Sequence, residues 1–254
     1  MKLTSLFSLL AAGLCLGGEM SVNYKDGNVE CEGFVVTPEN ADNTPVILVV
    51  HQWMGLTEYE KSRCRQLAEL GYIAFAVDIY GKGVRPSNKK ESAQQSSKYK
   101  SDRALFRSRL NAGLDAALKT EGADSDRVAA VGYCFGGTGV LELARSGANV
   151  DGVVSFHGGL GSPTPDDASN IKGRVLVLHG AVDPMVSAKE LADFEAEMTE
   201  NQVDWELIKY GSAVHSFTQP MAGNDPSKGV AYNKKADQRS WQRMKNFLEN
   251  LFGK

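Results

Sequence analysis

Gly132-Tyr133-Cys134-Phe135-Gly136-Gly137 follows the short apolar run Val128 to Val131 and precedes Thr138 to Arg145, which reads as a helix. An apolar run bounded by glycine suits a buried strand, so the stretch spells strand, tight turn, helix. A Gly-x-nucleophile-x-Gly turn in that context forces its central side chain into a strained, exposed position. Glycines are needed on both sides, where a Cβ would clash. The central residue here is Cys134. A thiol attacks only as thiolate, and a helix N-terminus starting just after it favours negative charge on the sulfur.

Such a nucleophile requires a base. Downstream, Leu178 to Pro184 reads as an apolar strand ending in a loop acid, Asp183, and Tyr210 to Phe217 as a strand ending in a loop histidine, His215. The order nucleophile, acid, histidine, each after a strand, is the order of α/β-hydrolase folds and not of the chymotrypsin or subtilisin types. On these three segments the chain resembles the dienelactone hydrolase family of α/β-hydrolases over roughly residues 28 to 252. Members of that family carry Gly-x-Cys-x-Gly-Gly, then an acid, then a histidine.

The resemblance extends to the loop after the apolar run Pro45 to Val50, which reads His51-Gln52-Trp53-Met54-Gly55. In the α/β-hydrolase fold this loop supplies one oxyanion-hole amide, and the residue after the nucleophile supplies the other. Alignment with the family assigns them to Trp53 and Phe135. The same alignment puts Gln52 where dienelactone hydrolases proper carry a glutamate that holds the resting thiol. Glutamine cannot take that proton, so Gln52 is expected to border the substrate pocket without that role. His51 reads as a structural residue at the strand end, and Asp78, after the strand Tyr72 to Val77, as a loop-fixing carboxylate.

The chain has 254 residues, a net charge of −3 and 42% hydrophobic residues, which suits one globular domain with a large core. Nothing in the charge pattern suggests nucleic acid. Residues 1–18 have the charged start, apolar run and small-residue exit of a signal peptide, leaving residues 19–254 as a single domain that is periplasmic or secreted. That apolar run is too short for a stable membrane span. A lipoprotein site at Cys15 is the alternative. Export would remove Cys15 and leave Cys31, Cys64 and Cys134, of which Cys64 reads as a buried free thiol and a Cys31–Cys64 disulfide stays open.

Residues 28 to 37 suit an edge strand, and Glu58 to Leu70 a helix opened by a capping box of Thr57 and Glu60 and stopped at Gly71. Lys82 to Lys100 is polar and basic and reads as a solvated cover segment. The sharper reading is that one of its cations, or Arg103 or Arg107, meets an anionic substrate group at the pocket mouth, with Tyr99 lining that mouth. Ser101 is expected to cap a helix to about Thr120, and Ser187 with Glu190 to form a second capping box. Strands at 150 to 156 and 203 to 210 and a last helix bearing Trp241, Met244, Leu248 and Leu251 complete the pattern. His157 competes with His215 as base but stands directly after the elbow helix and its strand. His179 reads as a packing residue.

Strands alternating with helices imply a mostly parallel sheet covered on both faces. The combined reading is a hydrolase of carboxylic esters or lactones acting through Cys134, Asp183 and His215. It needs no cofactor, and no cluster with metal-ligand spacing is visible. The partner is a small-molecule ester or lactone; monomer and homodimer are both open. The rival is a non-catalytic binding protein on the same scaffold.

Overall fold

The structure, a computed structural model, describes residues 16–253. It has eight strands: β1 Leu16–Asp26, β2 Val29–Pro38, β3 Thr44–Val50, β4 Ile73–Val77, β5 Ala123–Tyr133, β6 Gly152–Phe156, β7 Arg174–Gly180 and β8 Trp205–Tyr210. The helices are α1 Glu58–Ala68, α2 Lys89–Ser101, α3 Arg103–Ala117, α4 Phe135–Arg145, α5 Ala188–Glu200 and α6 Lys234–Phe252. The strands form one sheet in the order β1-β2-β4-β3-β5-β6-β7-β8. From β4 to β8 every pairing is parallel; β1 with β2 and β2 with β4 are antiparallel. This is the mostly parallel sheet with helices on both faces that the alternation of elements predicts.

The period-two alternation of the central strands divides the core. Val46, Leu48 and Val50 of β3, with Ile73, Phe75 and Val77 of β4, face a cluster that includes Phe106 and Leu110 of α3, Val140 of α4 and Phe194 of α5. Ile47 and Val49, with Ala74 and Ala76, face Cys64 and Leu67 of α1 and Met244 and Leu248 of α6. A strand covered on both faces has no polar positions, which is why β3 is buried at all seven residues. Burying a leucine or phenylalanine side chain is worth about 1.5–3 kcal/mol, so these two clusters dominate stability.

Three expectations change. The strand near residues 28 to 37 is not an edge: β1 pairs along its whole length and takes the edge, joined through a two-residue loop, Gly27-Asn28. That Gly-Asn loop between alternating segments is a hairpin signal in its own right. Second, the basic stretch is more than solvated cover: Asn88 caps a helix, α2, with its side chain on the Glu91 N–H, and the otherwise mostly exposed helix buries Tyr99. Third, Ser101 closes α2, and the neighbouring Asp102 caps α3 by accepting from Leu105 N–H at 2.9 Å. Aspartate and serine cap about equally well, so the capping preference alone does not separate the two neighbouring positions.

The signal-peptide reading of residues 1–18 lies largely outside the described residues; Leu16 to Gly18 are the first residues of β1. Cys31 and Cys64 are free and buried, Cys64 in the α1 layer and Cys31 beside the Arg109 guanidinium at 3.3 Å. No helix among the described residues is long and apolar enough to cross a membrane. Asp78 does fix its loop, accepting from Glu32 N–H, Gly81 N–H and Arg85.

Candidate active site

The parallel strands all point their C-terminal ends to one edge, and the loops leaving β3, β5, β7 and β8 meet there. Cys134 stands between β5 and α4 with φ 55° and ψ −113°, a conformation an L-residue adopts only under constraint. The constraint is close backbone packing. A Cβ on Gly132 would lie 2.0 Å from the Gly136 carbonyl oxygen, and one on Gly136 2.1 Å from that of Val50. Any other residue at either position would force the turn open.

The turn aims Cys134 Sγ at His215 Nε2, 3.0 Å away. His215 Nδ1 lies 2.9 Å from Asp183 Oδ2, and the other Asp183 oxygen accepts the Met185 N–H at 2.8 Å. The His215 backbone is pinned in turn: its N–H donates to Gly229 O and its carbonyl accepts from Ala231 N–H. Burial alone would push the Cys134 thiol up. The His215 charge and hydrogen bond outweigh it, helped by the Lys100 ammonium and by the Phe135 N–H directed at the sulfur, so the thiol lies below its ordinary 9.0. Burial likewise works against charge on His215, but the Cys134 sulfur and the Asp183 carboxylate raise it from 6.5 to about 10. Both shifts favour a thiolate–imidazolium pair.

Trp53 sits on the loop opposite, half-buried, with its carbonyl accepting from Tyr80 Oη at 2.9 Å. Its N–H has no hydrogen-bond partner among the described residues. Gln52 beside it is 7% exposed, and its N–H donates to the buried Glu60 carboxylate at 3.2 Å. Glu60 does form the expected capping box with Thr57, accepting its N–H at 2.8 Å and its hydroxyl at 2.7 Å. One carboxylate therefore holds both the start of α1 and the loop that presents Trp53, a second contact no capping pattern reveals. The other pair behaves differently. Ser187 Oγ accepts from Glu190 N–H, but the Glu190 carboxylate reaches away to the Leu160 and Gly161 N–H groups and fixes the loop after β6.

Tyr99 does not line the mouth. It is fully buried, stacked on Tyr80 at 5.6 Å and edge-on to Phe135 at 6.4 Å, forming part of the aromatic floor under the elbow. Being aromatic in an otherwise polar helix, it is the residue of α2 with most to gain from burial. Of the basic residues weighed for the mouth, Lys100 is the one whose field reaches the thiol. Arg107 is engaged by Glu142 and Asp167, and Arg103 lies toward Glu142 and the Gly161 carbonyl.

His51 is structural, accepting the Ile79 N–H through Nε2. His157 makes no bond to the sulfur; its Nδ1 accepts the Cys134 backbone N–H at 3.2 Å. His179 is buried in β7. A cavity of about 1190 Å³ lies between β1 and α3 and is bordered by none of these residues. Among the described residues no group of three or more His, Cys, Asp or Glu side chains is placed to hold a metal ion.

Comparison with known proteins agrees with this fold. The sequence profile of the dienelactone hydrolase family matches residues 31–252. A solved structure named m3DLH is 37% identical, superposes with a TM-score of 0.89 and covers 93% of this chain and 99% of its own. The dienelactone hydrolase-like promiscuous phosphotriesterase P91, from metagenomic libraries, is 37% identical with a TM-score of 0.87, covering 93% of this chain and 98% of its own. A Bradyrhizobium protein named as a probable 2-oxo-3-(5-oxofuran-2-ylidene)propanoate lactonase is 26% identical over 87% of this chain and 90% of its own.

Proposed function

This chain belongs to the dienelactone hydrolase family, and on that premise we propose that it hydrolyses carboxylic esters, including lactones, through a thioester on Cys134. The observation that carries the reading is the unbroken line from Cys134 Sγ to His215 to Asp183, with contacts of 3.0 and 2.9 Å.

In the resting pair the sulfur is thiolate and His215 carries the proton. Sulfur attacks the ester carbonyl carbon, and the C=O π electrons move to oxygen, which the Trp53 and Phe135 N–H groups stabilise. Collapse of that intermediate breaks the bond to the alcohol oxygen, which takes the His215 Nε2 proton and leaves as alcohol. The thioester then faces neutral His215, which draws a proton from water as the water oxygen attacks. The second collapse breaks the C–S bond, releases the acid and restores the thiolate–imidazolium pair. Asp183 keeps the Nδ1 proton in place and stabilises the imidazolium throughout.

Substrate breadth follows from the departure at position 52. With glutamine there, the thiolate is available before substrate arrives, so a carboxylate on the substrate is not needed to release it. Linear aryl and alkyl esters are therefore proposed as substrates beside lactones. Two of the three similar proteins, one named a promiscuous phosphotriesterase and one a probable lactonase, mark the range worth screening. Residues 1–18 are proposed to direct export, placing the enzyme in the periplasm or outside the cell.

The test is a panel of aryl, alkyl and lactone esters, with one phosphotriester, assayed on the purified protein. A burst of product stoichiometric with enzyme, and its disappearance in Cys134→Ser, is expected. A parent inactive on every member of the panel would favour the binding-protein alternative.

A further inference from the structure

Seven non-glycine residues among those described have positive φ. Asn40, Asn43, Gln202 and Ser212 are exposed turn residues. The remaining three, Cys134 at 55°, His157 at 40° and Ser216 at 57°, meet in one place. Left-handed backbone at such residues is unfavourable and persists only where surroundings impose it. Strain gathered at one point therefore calls for a tie that holds it.

His157 supplies that tie. The Cys134 N–H donates both to Phe156 O at 3.0 Å and to His157 Nδ1 at 3.2 Å. With Nδ1 accepting, the ring proton of neutral His157 sits on Nε2 and donates to Thr218 Oγ1, 2.8 Å away. Thr218 is fully buried, three residues past His215, and is held in turn by Tyr59 Oη at 2.7 Å on its hydroxyl and by Arg63 at 3.3 Å on its carbonyl. Arg63 is anchored by Asp237 of α6 at 2.9 Å. The His157 ring stands edge-on to those of His215 at 5.4 Å and Phe217 at 5.0 Å, so it cannot tilt toward either. Burial and the neighbouring His215 charge hold it well below the usual histidine range, in the neutral form this bonding needs.

We propose that His157 is a positioning residue that sets the Cys134–His215 distance by tying the strained elbow amide to Thr218 on the loop carrying the base. It touches neither substrate nor the reacting atoms. The proposal rests on Cys134 and His215 acting as nucleophile and base.

Three variants test it. His157→Leu fills the space with no acceptor, His157→Asn keeps an acceptor oxygen near the Nδ1 position, and Thr218→Val keeps the ring but removes its outer partner. Two readouts are taken: kcat and KM on an active ester, and the rate at which iodoacetamide modifies the Cys134 peptide at neutral pH, which needs no substrate. His157→Leu should lower kcat about 30-fold with KM within about twofold, as expected for losing one hydrogen bond that holds the reacting geometry. It should slow alkylation about tenfold, because a displaced imidazolium no longer lowers the thiol. His157→Asn should recover both to within about threefold, and Thr218→Val should fall between. Equal losses in the Leu and Asn variants, or all three within twofold of the parent, would overturn the proposal. Should His157→Leu fail to fold, the Asn and Val variants still separate the outcomes: values for Asn no better than for Val refute it. A parent with no esterase activity refutes the preceding section instead, and the alkylation series alone then decides this one.

Discussion

An alanine at position 136 would place its Cβ 2.1 Å from the Val50 carbonyl oxygen, 2.5 Å from the Val50 carbonyl carbon and 2.7 Å from the His51 carbonyl oxygen. All are backbone atoms, so no rotamer change relieves the clash. Ordinary contact begins near 3.4 Å, so α4 and the end of β3 must part by roughly 1 Å. The Phe135 amide moves with α4 and the Trp53 amide with β3. A misplacement of about 1 Å at a reacting centre can cost about 100-fold. We therefore expect Gly136→Ala to lower kcat/KM about 100-fold, or about 2.7 kcal/mol of transition-state stabilisation, with about 1–3 kcal/mol of stability lost to overpacking. The assay is steady-state hydrolysis of p-nitrophenyl acetate beside a thermal melt. Gly152→Ala is the control, because its Cβ would crowd only the movable side chains of Leu251 at 2.7 Å and Phe247 at 2.8 Å, far from the loops of the site. It should lose stability and keep kcat/KM within about threefold. Equal kinetic losses in the two variants, or unchanged kinetics in Gly136→Ala, would refute the assignment of the two amides.

Cys134→Ala should abolish ester hydrolysis at unchanged circular dichroism, whereas activity within about twofold of the parent would remove the thioester mechanism. In His215→Ala the thiol keeps the upward push of burial and loses its main opposing charge, so its alkylation profile should shift to higher pH; profiles that superimpose on the parent's would contradict the pairing. Because His215 is raised from 6.5 to about 10, its contribution to stability is complete below 6.5 and lost as pH rises through about 10. The melting temperature of the parent should therefore fall toward that of His215→Ala as pH rises from about 6.5 to about 10, and a constant difference across that range would count against the charged pair. Mass spectrometry of the exported protein should find a chain starting near Gly18 to Met20, and a full-length cytoplasmic protein would dismiss export.

What could be read from the sequence were the features with local causes. Glycine spacing around Cys134 announces the elbow because backbone contacts leave no room for a side chain, and continuous apolar runs announce β3 and β4 because both faces are covered. Asp183 and His215 are legible from their position after a strand, and the structure brings His215 to Cys134 and Asp183 to His215. Long-range polar contacts were not legible. Nothing local distinguishes Glu60, which reaches the loop after β3, from Glu190, which abandons its expected partner for Leu160 and Gly161. The burial of Tyr99, expected at the mouth, depends on Tyr80 and Phe135, residues 19 and 36 positions away in sequence. The β1 hairpin is legible in Gly27-Asn28, a two-residue turn between alternating segments, whereas the pairing of β1 along its whole length is long-range.

The Glu60 carboxylate makes α1 a lever on the oxyanion loop. Its two oxygens are shared between the cap of the helix and the Gln52 amide, so a shift of the first turn of α1 is passed directly to the peptide before Trp53. For laboratory evolution this marks the outward-facing residues of that turn, such as the exposed Glu58, as places where substitutions remote from the sulfur can retune carbonyl binding. A library confined to pocket walls would leave that control untouched.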